Sequence, residues 1–286
     1  MKRYALMLPL FLAVLLLSGC LSLPTGQDSV VIEPVPTPYR SAAPMEDLPP
    51  TMAPVKATPR PSEAPSEDVT PEPSETPANP GSQPPLLTQA LEESGLTFDN
   101  LTGRQLVMVY MRGRTTQIYC YEKGEDGWQL RREISYLRAY VGRNGLNRDK
   151  VEGDGTTPSG LYPLVFAFGH EAEADTRMEY RQITEGTYWV NDPDSALYNQ
   201  WTQQKGEGLW AYAEDLFGTG VRYNIAFVVG YNYGENMIPG KGSGIFLHCG
   251  DYATDGGISM KEVNMRKLAA WLDQKENPQI LIAGGQ

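Results

Sequence analysis

The sequence predicts one mainly β domain with a few helices, set behind a long disordered stalk. Three observations point there. Seventeen of the 23 prolines crowd into the stretch from Pro24 to Pro85. Beyond about residue 86 the composition changes to frequent Tyr, Trp, Val and Gly. In that second part the apolar residues come mostly in short, strand-length runs bounded by glycine and other turn formers.

The first twenty residues are a processing signal. Lys2 and Arg3 give a positive start, residues 5–17 form an apolar run broken only by Pro9, and Leu17-Ser18-Gly19-Cys20 closes it. A run that short is a secretory h-region, too brief to span a bilayer comfortably. The closing tetrapeptide resembles a bacterial lipobox, in which cleavage falls before the cysteine and lipid is attached to its sulfur. The expectation is a lipoprotein signal peptide over 1–19 and a lipidated Cys20, holding the protein to the cell membrane on its extracytoplasmic side. Each buried methylene contributes about 0.8 kcal/mol, so two or more acyl chains anchor stably where one does not.

Residues 20–87 are expected to form the stalk. Thr70-Pro71-Glu72-Pro73-Ser74-Glu75-Thr76-Pro77 shows its style. Such a stretch has too little apolar surface to offset its ordering entropy and stays disordered or partly polyproline-like. A flexible coil of this length spans roughly 45 Å and a fully polyproline one on the order of 200 Å, and either holds a domain away from the membrane.

The formal net charge of −11 excludes the basic face that nucleic-acid binding needs. Only Cys20, Cys120 and Cys249 are present. That excludes a disulfide-built scaffold and a cysteine zinc site, and leaves open a disulfide between the last two.

The domain is expected over 88–286, long enough to bury a substantial core. Residues 86–95 read as a short helix, 105–111 and 116–121 as strands joined around Gly113, and 128–134 as another strand. The run 223–229 has the continuous apolar character of a central strand, and 244–249 is one more. Met260, Val263, Leu268, Trp271 and Leu272 share one face at helical spacing, Ser259 and Glu262 have capping-box spacing, with a start two residues later as the alternative, and the segment ends before Pro278. Residues 279–282 supply a last strand.

Two segments carry the chemistry. The first is the glycine-rich turn Glu152-Gly153-Asp154-Gly155-Thr156-Thr157-Pro158-Ser159-Gly160, which lacks the lysine and following helix of a phosphate-binding loop. The second runs from Gly242-Ser243-Gly244-Ile245-Phe246-Leu247-His248 to Thr254-Asp255-Gly256-Gly257-Ile258-Ser259-Met260. A histidine at the end of an apolar strand, before a glycine loop, is a candidate general base. The residues alone leave a structural and a catalytic role both open.

Taken in order, these segments resemble the L,D-transpeptidase catalytic domain (YkuD-like), which cross-links bacterial peptidoglycan. The resemblance extends from about Gln105 to Ile282 and includes Tyr188-Trp189-Val190-Asn191-Asp192-Pro193-Asp194-Ser195, Tyr198-Asn199-Gln200-Trp201 and Val229-Gly230-Tyr231-Asn232. It implies a β-sandwich with the active site at one edge. It also implies a cysteine thiolate that attacks a carbonyl of the stem peptide to form an acyl-enzyme, resolved by an amine from a neighbouring stem. In that pattern a strand histidine takes the thiol proton, and N–H groups of a Ser/Thr-x-Gly-Cys loop hold the oxyanion. Carried onto this chain, His248 is the base, Thr254-Asp255-Gly256 is the loop with Gly256 at its oxyanion turn, and the nucleophile position is Gly257. The thiol is absent. In enzymes acting through a nucleophile and a base, losing one member costs about a million-fold in rate, roughly 8 kcal/mol.

Cys249 is the alternative nucleophile. Side chains alternate along a strand, so it is expected to point with Ile245 and Leu247, opposite Phe246 and His248, as a small buried hydrophobe. Cys120 alternates with Ile118 toward the core and carries no chemistry. Ser259 and Thr254 carry hydroxyls near the loop but off the matching position. His170 is expected in a surface loop, and no spacing suggests a metal or a cofactor. Tyr231 and Thr254 are candidates for the border of the substrate cleft. Tyr188, Trp189, Tyr198 and Trp201 suit a sugar-peptide groove or buried packing equally. Three functions follow: a degenerate transpeptidase that still binds peptidoglycan stem peptides or regulates, an active one using Cys249, and a structural lipoprotein that binds nothing.

Overall fold

A computed structural model describes residues 83–204 and 208–285. The signal segment 1–19, Cys20 and the stalk up to residue 82 lie outside the described residues.

Helix α1 (Pro85–Glu93) opens the described chain, with proline in its first turn and Ser94 capping its end through bonds to Ala90. Strands β1 (Gln105–Arg112), β2 (Thr115–Gly124) and β3 (Gly127–Leu130) form a meander. Its first turn relies on Gly113, whose φ of 59° suits glycine. Strand β4 (Leu137–Tyr140) follows, and the short pair β5 (Leu146–Asn147) and β6 (Thr157–Pro158) brackets the glycine-rich turn. Next come β7 (Gly160–Gly169) and β8 (Tyr180–Gln182). Strands β9 (Tyr188–Val190), β10 (Trp201–Thr202) and β11 (Ala213–Asp215) form a small sheet in the order β10-β9-β11. Strands β12 (Ala226–Val229), β13 (Phe246–Cys249) and β14 (Ile258–Met260), helix α2 (Glu262–Trp271) and strand β15 (Gln279–Gly285) complete the chain.

The main sheet runs β1-β15-β7-β12-β13-β14-β4-β2-β3, and β1 also pairs with β2. That extra pairing closes the sheet on itself, so the two layers of the expected sandwich are one continuous sheet. Its interior is filled by alternate residues, among them Val107, Val109, Ile118, Cys120, Phe227, Val229, Leu247 and Cys249, joined by Met265, Leu268 and Ala269 of α2. The other face is covered twice. Leu106, Met108, Tyr119 and Tyr121 pack under Leu87, Ala90 and Leu91 of α1. Phe166, Phe168, Val228 and Phe246 pack under Trp189 of the small sheet. Each large apolar side chain so buried contributes about 1.5–3 kcal/mol. A bulge in β7, where Ala167 pairs Phe227 but Leu164 pairs Val229, turns Leu164 and Ala167 inward and Phe166 and Phe168 outward.

Several element boundaries differ from the sequence reading. The strand expected over 128–134 stops at Leu130, because the Cys120 N–H is taken by the Ser135 hydroxyl at 2.9 Å instead of a longer β3. The strands expected at 223 and 244 begin at Ala226 and Phe246, since Tyr223 closes a 3₁₀ turn and Gly244 has a φ of 59°. The face of α2 differs in its first turn. Leu268, Trp271 and Leu272 do face the core, together with Met265 and Ala269, and Met260 is buried as part of β14, but Val263 is 60% exposed. The helix takes the later of its two expected starts: Lys261 is the N-cap, no capping box forms, and the Ser259 hydroxyl donates to the Tyr252 carbonyl at 2.6 Å.

Candidate functional site

The pleat of β13 sets the site. Leu247 and Cys249 point into the closed sheet, while Phe246 and His248 point to its other face. The His248 Nδ1 lies 2.9 Å from the Cys249 carbonyl oxygen. A carbonyl only accepts, so Nδ1 carries the proton and Nε2 keeps its lone pair. Burial lowers the imidazole pKa to about 4, more than the Cys249 carbonyl raises it, so the ring is neutral at pH 7. The Tyr223 ring stands at right angles to it, 5.8 Å between centroids.

The loop between β13 and β14 is fixed by two threonines. Thr254 donates its N–H to Val141 and accepts from Arg143 N–H through its carbonyl. Its hydroxyl accepts the Gly256 N–H at 3.2 Å and donates to the Gly257 carbonyl at 2.6 Å. The Thr157 hydroxyl, from β6, accepts the Gly142 N–H at 2.8 Å and donates to the same Gly257 carbonyl at 3.0 Å. Both glycine-bearing segments are thereby tied together.

Gly257 faces the imidazole. A β-carbon placed on it lies 3.4 Å from His248 Nε2 and 3.3 Å from Cδ2. The same β-carbon lies 2.6 Å from the Phe246 carbonyl oxygen, closer than any unstrained contact. Any side chain here must displace the backbone of β13. Gly256 lies beside it, but its N–H is turned to Thr254. A β-carbon on Gly256 would meet Lys150 Nζ at 3.3 Å.

His248, Thr254, Gly256 and Gly257 line one cleft of about 300 Å³. Its other walls carry both signs of charge. Lys150 is almost wholly buried and paired with Asp154 at 2.8 Å. Burial opposes ionisation of Asp154, yet the bonds from Lys150, Thr156 and Val151 outweigh it and hold its carboxyl well below the usual range. Glu152 accepts from the Tyr198 hydroxyl at 2.6 Å and Glu214 from the Tyr223 hydroxyl at 2.8 Å. Burial pushes the Glu214 carboxyl up, against the pull of Tyr223 and of Arg222 3.6 Å away.

Most other candidates lie elsewhere. The Cys249 thiol donates to the Ile225 carbonyl at 3.4 Å in the interior, and burial pushes its pKa to about 11. Cys120 is buried in the same interior, both cysteines are free, and no disulfide joins them. Tyr231, expected at the cleft border, has its hydroxyl 3.5 Å from the carbonyl of Lys150, a residue of the cleft wall. Its hydroxyl donates to the Lys241 carbonyl at 2.6 Å and its ring packs on Tyr162. His170 places Nε2 3.0 Å from the Gly220 carbonyl, away from the cleft. Trp189 and Tyr198 are buried packing residues, so the aromatic cluster is no wall of this cleft.

Sequence reasoning missed the charged walls. Lys150 and Asp154 are four residues apart around the glycine turn, a spacing that signals an ion pair. Glu214 and Arg222 carry no local signal, because only the pairing of β11 with β9 and the 3₁₀ turn Phe217–Tyr223 bring them in. It also missed the clamp at Asn199, whose φ is 53°. Its Oδ1 accepts from Trp189 Nε1 and from the Gly244 N–H, each at 2.9 Å.

The chain matches the family model of the L,D-transpeptidase catalytic domain (YkuD) over residues 104–281. Among solved structures it is similar to the helical cell shape determining protein Pgp2 from Campylobacter jejuni, at 18% identity and a TM-score of 0.33, covering 64% of this chain and 49% of that one. It is also similar to an L,D-transpeptidase (Yku) from Stackebrandtia nassauensis, at 14% identity and a TM-score of 0.29, covering 70% of this chain and 65% of that one. The chain thus spans about half the length of Pgp2. No curated protein sequence matches.

Proposed function

Because this chain belongs to the L,D-transpeptidase catalytic-domain family, we propose that it is a cell-wall pseudoenzyme that holds peptidoglycan stem peptides in its cleft without bonding to them covalently. One observation carries the reading. The position that faces the free nitrogen of His248 is a glycine, with no atom to attack a carbonyl. His248 keeps its lone pair, but no thiol proton lies within its reach to be taken. Cys249 does not substitute, since its sulfur lies on the far side of the strand and its proton is held by burial.

What remains suits non-covalent recognition. The cleft offers a neutral imidazole, carboxylates, a guanidinium and a buried ammonium within one concave surface. A stem peptide carries carboxylates, amides and an amine that complement such walls. The lipobox-like Cys20 and the proline-rich stalk complete the proposal: a lipid anchor in the cell membrane and a spacer that lets the domain meet the wall.

The test is binding without chemistry. Purified protein should co-sediment with sacculi and bind a free stem tetrapeptide, with no turnover and no gain of mass. If neither sacculi nor tetrapeptide is bound, a structural spacer replaces this reading. Cys20→Ser should move the protein out of the membrane fraction; persistence there would remove the anchor from the proposal.

A further inference from the structure

A second hollow, of about 500 Å³, is formed by β8, the start of β10 and the turn that follows β12, and is lined by Arg181, Gln200, Trp201, Tyr233, Glu235 and Met237. None of these residues lines the cleft beside His248. Its two rings are held in place from beneath. Trp201 stands edge-on to Phe166 and Phe168, at 6.1 and 5.7 Å between centroids, and Tyr233 stacks on Trp189 at 6.0 Å and 25°. Both rings remain only partly buried. Arg181 is fixed as well, its guanidinium 3.8 Å from the Phe166 ring centroid and bonded to Glu179 at 2.9 Å.

This lining pairs apolar ring faces with a guanidinium, a primary amide and a carboxylate. A pyranose matches both halves. Its C–H face stacks on an aromatic ring, and its hydroxyls both donate and accept. A proline-rich peptide, including the stalk of this chain, suits the rings equally but has few N–H groups to meet the Glu235 carboxylate. The volume lies within the range of small-ligand sites. The hollow is also tied to the cleft. Asn199 accepts the Gly244 N–H at the cleft and the Trp189 indole N–H beneath Tyr233, and its amide donates to the Asn232 carbonyl in the turn that carries Tyr233.

We propose that this hollow is a saccharide subsite, which takes an aminosugar of a glycan strand while the cleft takes the peptide attached to that strand. The choice of glycan rests on the peptidoglycan reading above; the second site itself rests on its own lining. Calorimetric titration with a linear tetramer of β-1,4-linked N-acetylglucosamine, which carries no peptide, tests it. The tetramer should bind, and Trp201→Ala should weaken it about ten-fold while binding of a free stem tetrapeptide is unchanged. Since Trp201 also packs on Phe166 and Phe168, Glu235→Gln at the exposed rim serves as the second variant, and it should weaken the tetramer several-fold without lowering the melting temperature. No tetramer binding, or equal binding by the wild type and both variants, overturns the proposal. If the tetrapeptide still binds, only the saccharide site falls; if it does not, the reading of the cleft falls too. A peptide of residues 58–77 that binds and shifts the Trp201 resonance while the tetramer does not would likewise overturn it, in favour of stalk docking.

Discussion

The two faces of strand β13 divide what a thiol enzyme must bring together. On the inner face Cys249 has a sulfur and no base; on the outer face His248 has a free nitrogen and, at Gly257, no sulfur opposite it. Burial acts on both in the same sense, disfavouring the charged form. It raises the Cys249 thiol to about 11 and lowers the His248 imidazole to about 4. A thiolate–imidazolium pair is therefore opposed from both sides. Adjacency in sequence counts for nothing here, because a strand sends neighbours to opposite faces.

The largest expected effect comes from moving the sulfur across. Gly257→Cys should form a covalent adduct with a carbapenem, an acylating agent of the family's thiol, where the wild type forms none. Loss of a nucleophile costs about a million-fold in such systems, so even partial recovery spans several orders of magnitude. The Phe246 carbonyl must give way to the new β-carbon, at a cost of about 1–3 kcal/mol in stability. A folded variant that stays unmodified would mean that residue 257 does not face the base.

The next effect sharpens the contrast through pH. His248 has a folded pKa of about 4 against the ordinary imidazole value of 6.5, so it is the unfolded chain that takes up the proton first. Its contribution is nil above pH 6.5. As the pH falls from 6.5 to 4, stability declines by up to about 3 kcal/mol, and the decline stops below the folded value. Denaturant titrations across that window should show a smaller decline in His248→Gln. An identical pH dependence in the two proteins would place the imidazole in contact with water.

A smaller effect tests the loop. Thr254→Val removes the acceptor of the Gly256 N–H, leaving that group unpaired, and leaves the Gly257 carbonyl with Thr157 as its one hydroxyl donor. The expected cost is about 1–3 kcal/mol, read from the denaturation midpoint, with weaker binding of the stem tetrapeptide. A neutral substitution would show that Thr157 alone suffices to hold the turn.

How far this was legible in the sequence depends on the range of the forces involved. Alternation is local, so the run 244–249 separated Cys249 from His248, and the fold separates them the same way. The order of the glycine-rich segments was equally readable, because motif order survives in the chain itself. The core face of α2 was legible in Leu268, Trp271 and Leu272, but its first turn was not. Met260 is drawn into β14 by its pairing with β13, so the helix begins later and buries Met265 where Val263 was expected. Glu214 and Arg222 reach the cleft only through long-range strand pairing, and that lies beyond any local pattern.

Intact-mass spectrometry of the wild-type protein after prolonged incubation with a carbapenem tests the central claim most directly. The expected result is an unchanged mass in protein that still binds the stem tetrapeptide. A stoichiometric adduct that disappears in Cys249→Ala would contradict it, because the sulfur now assigned to the interior would then be the nucleophile.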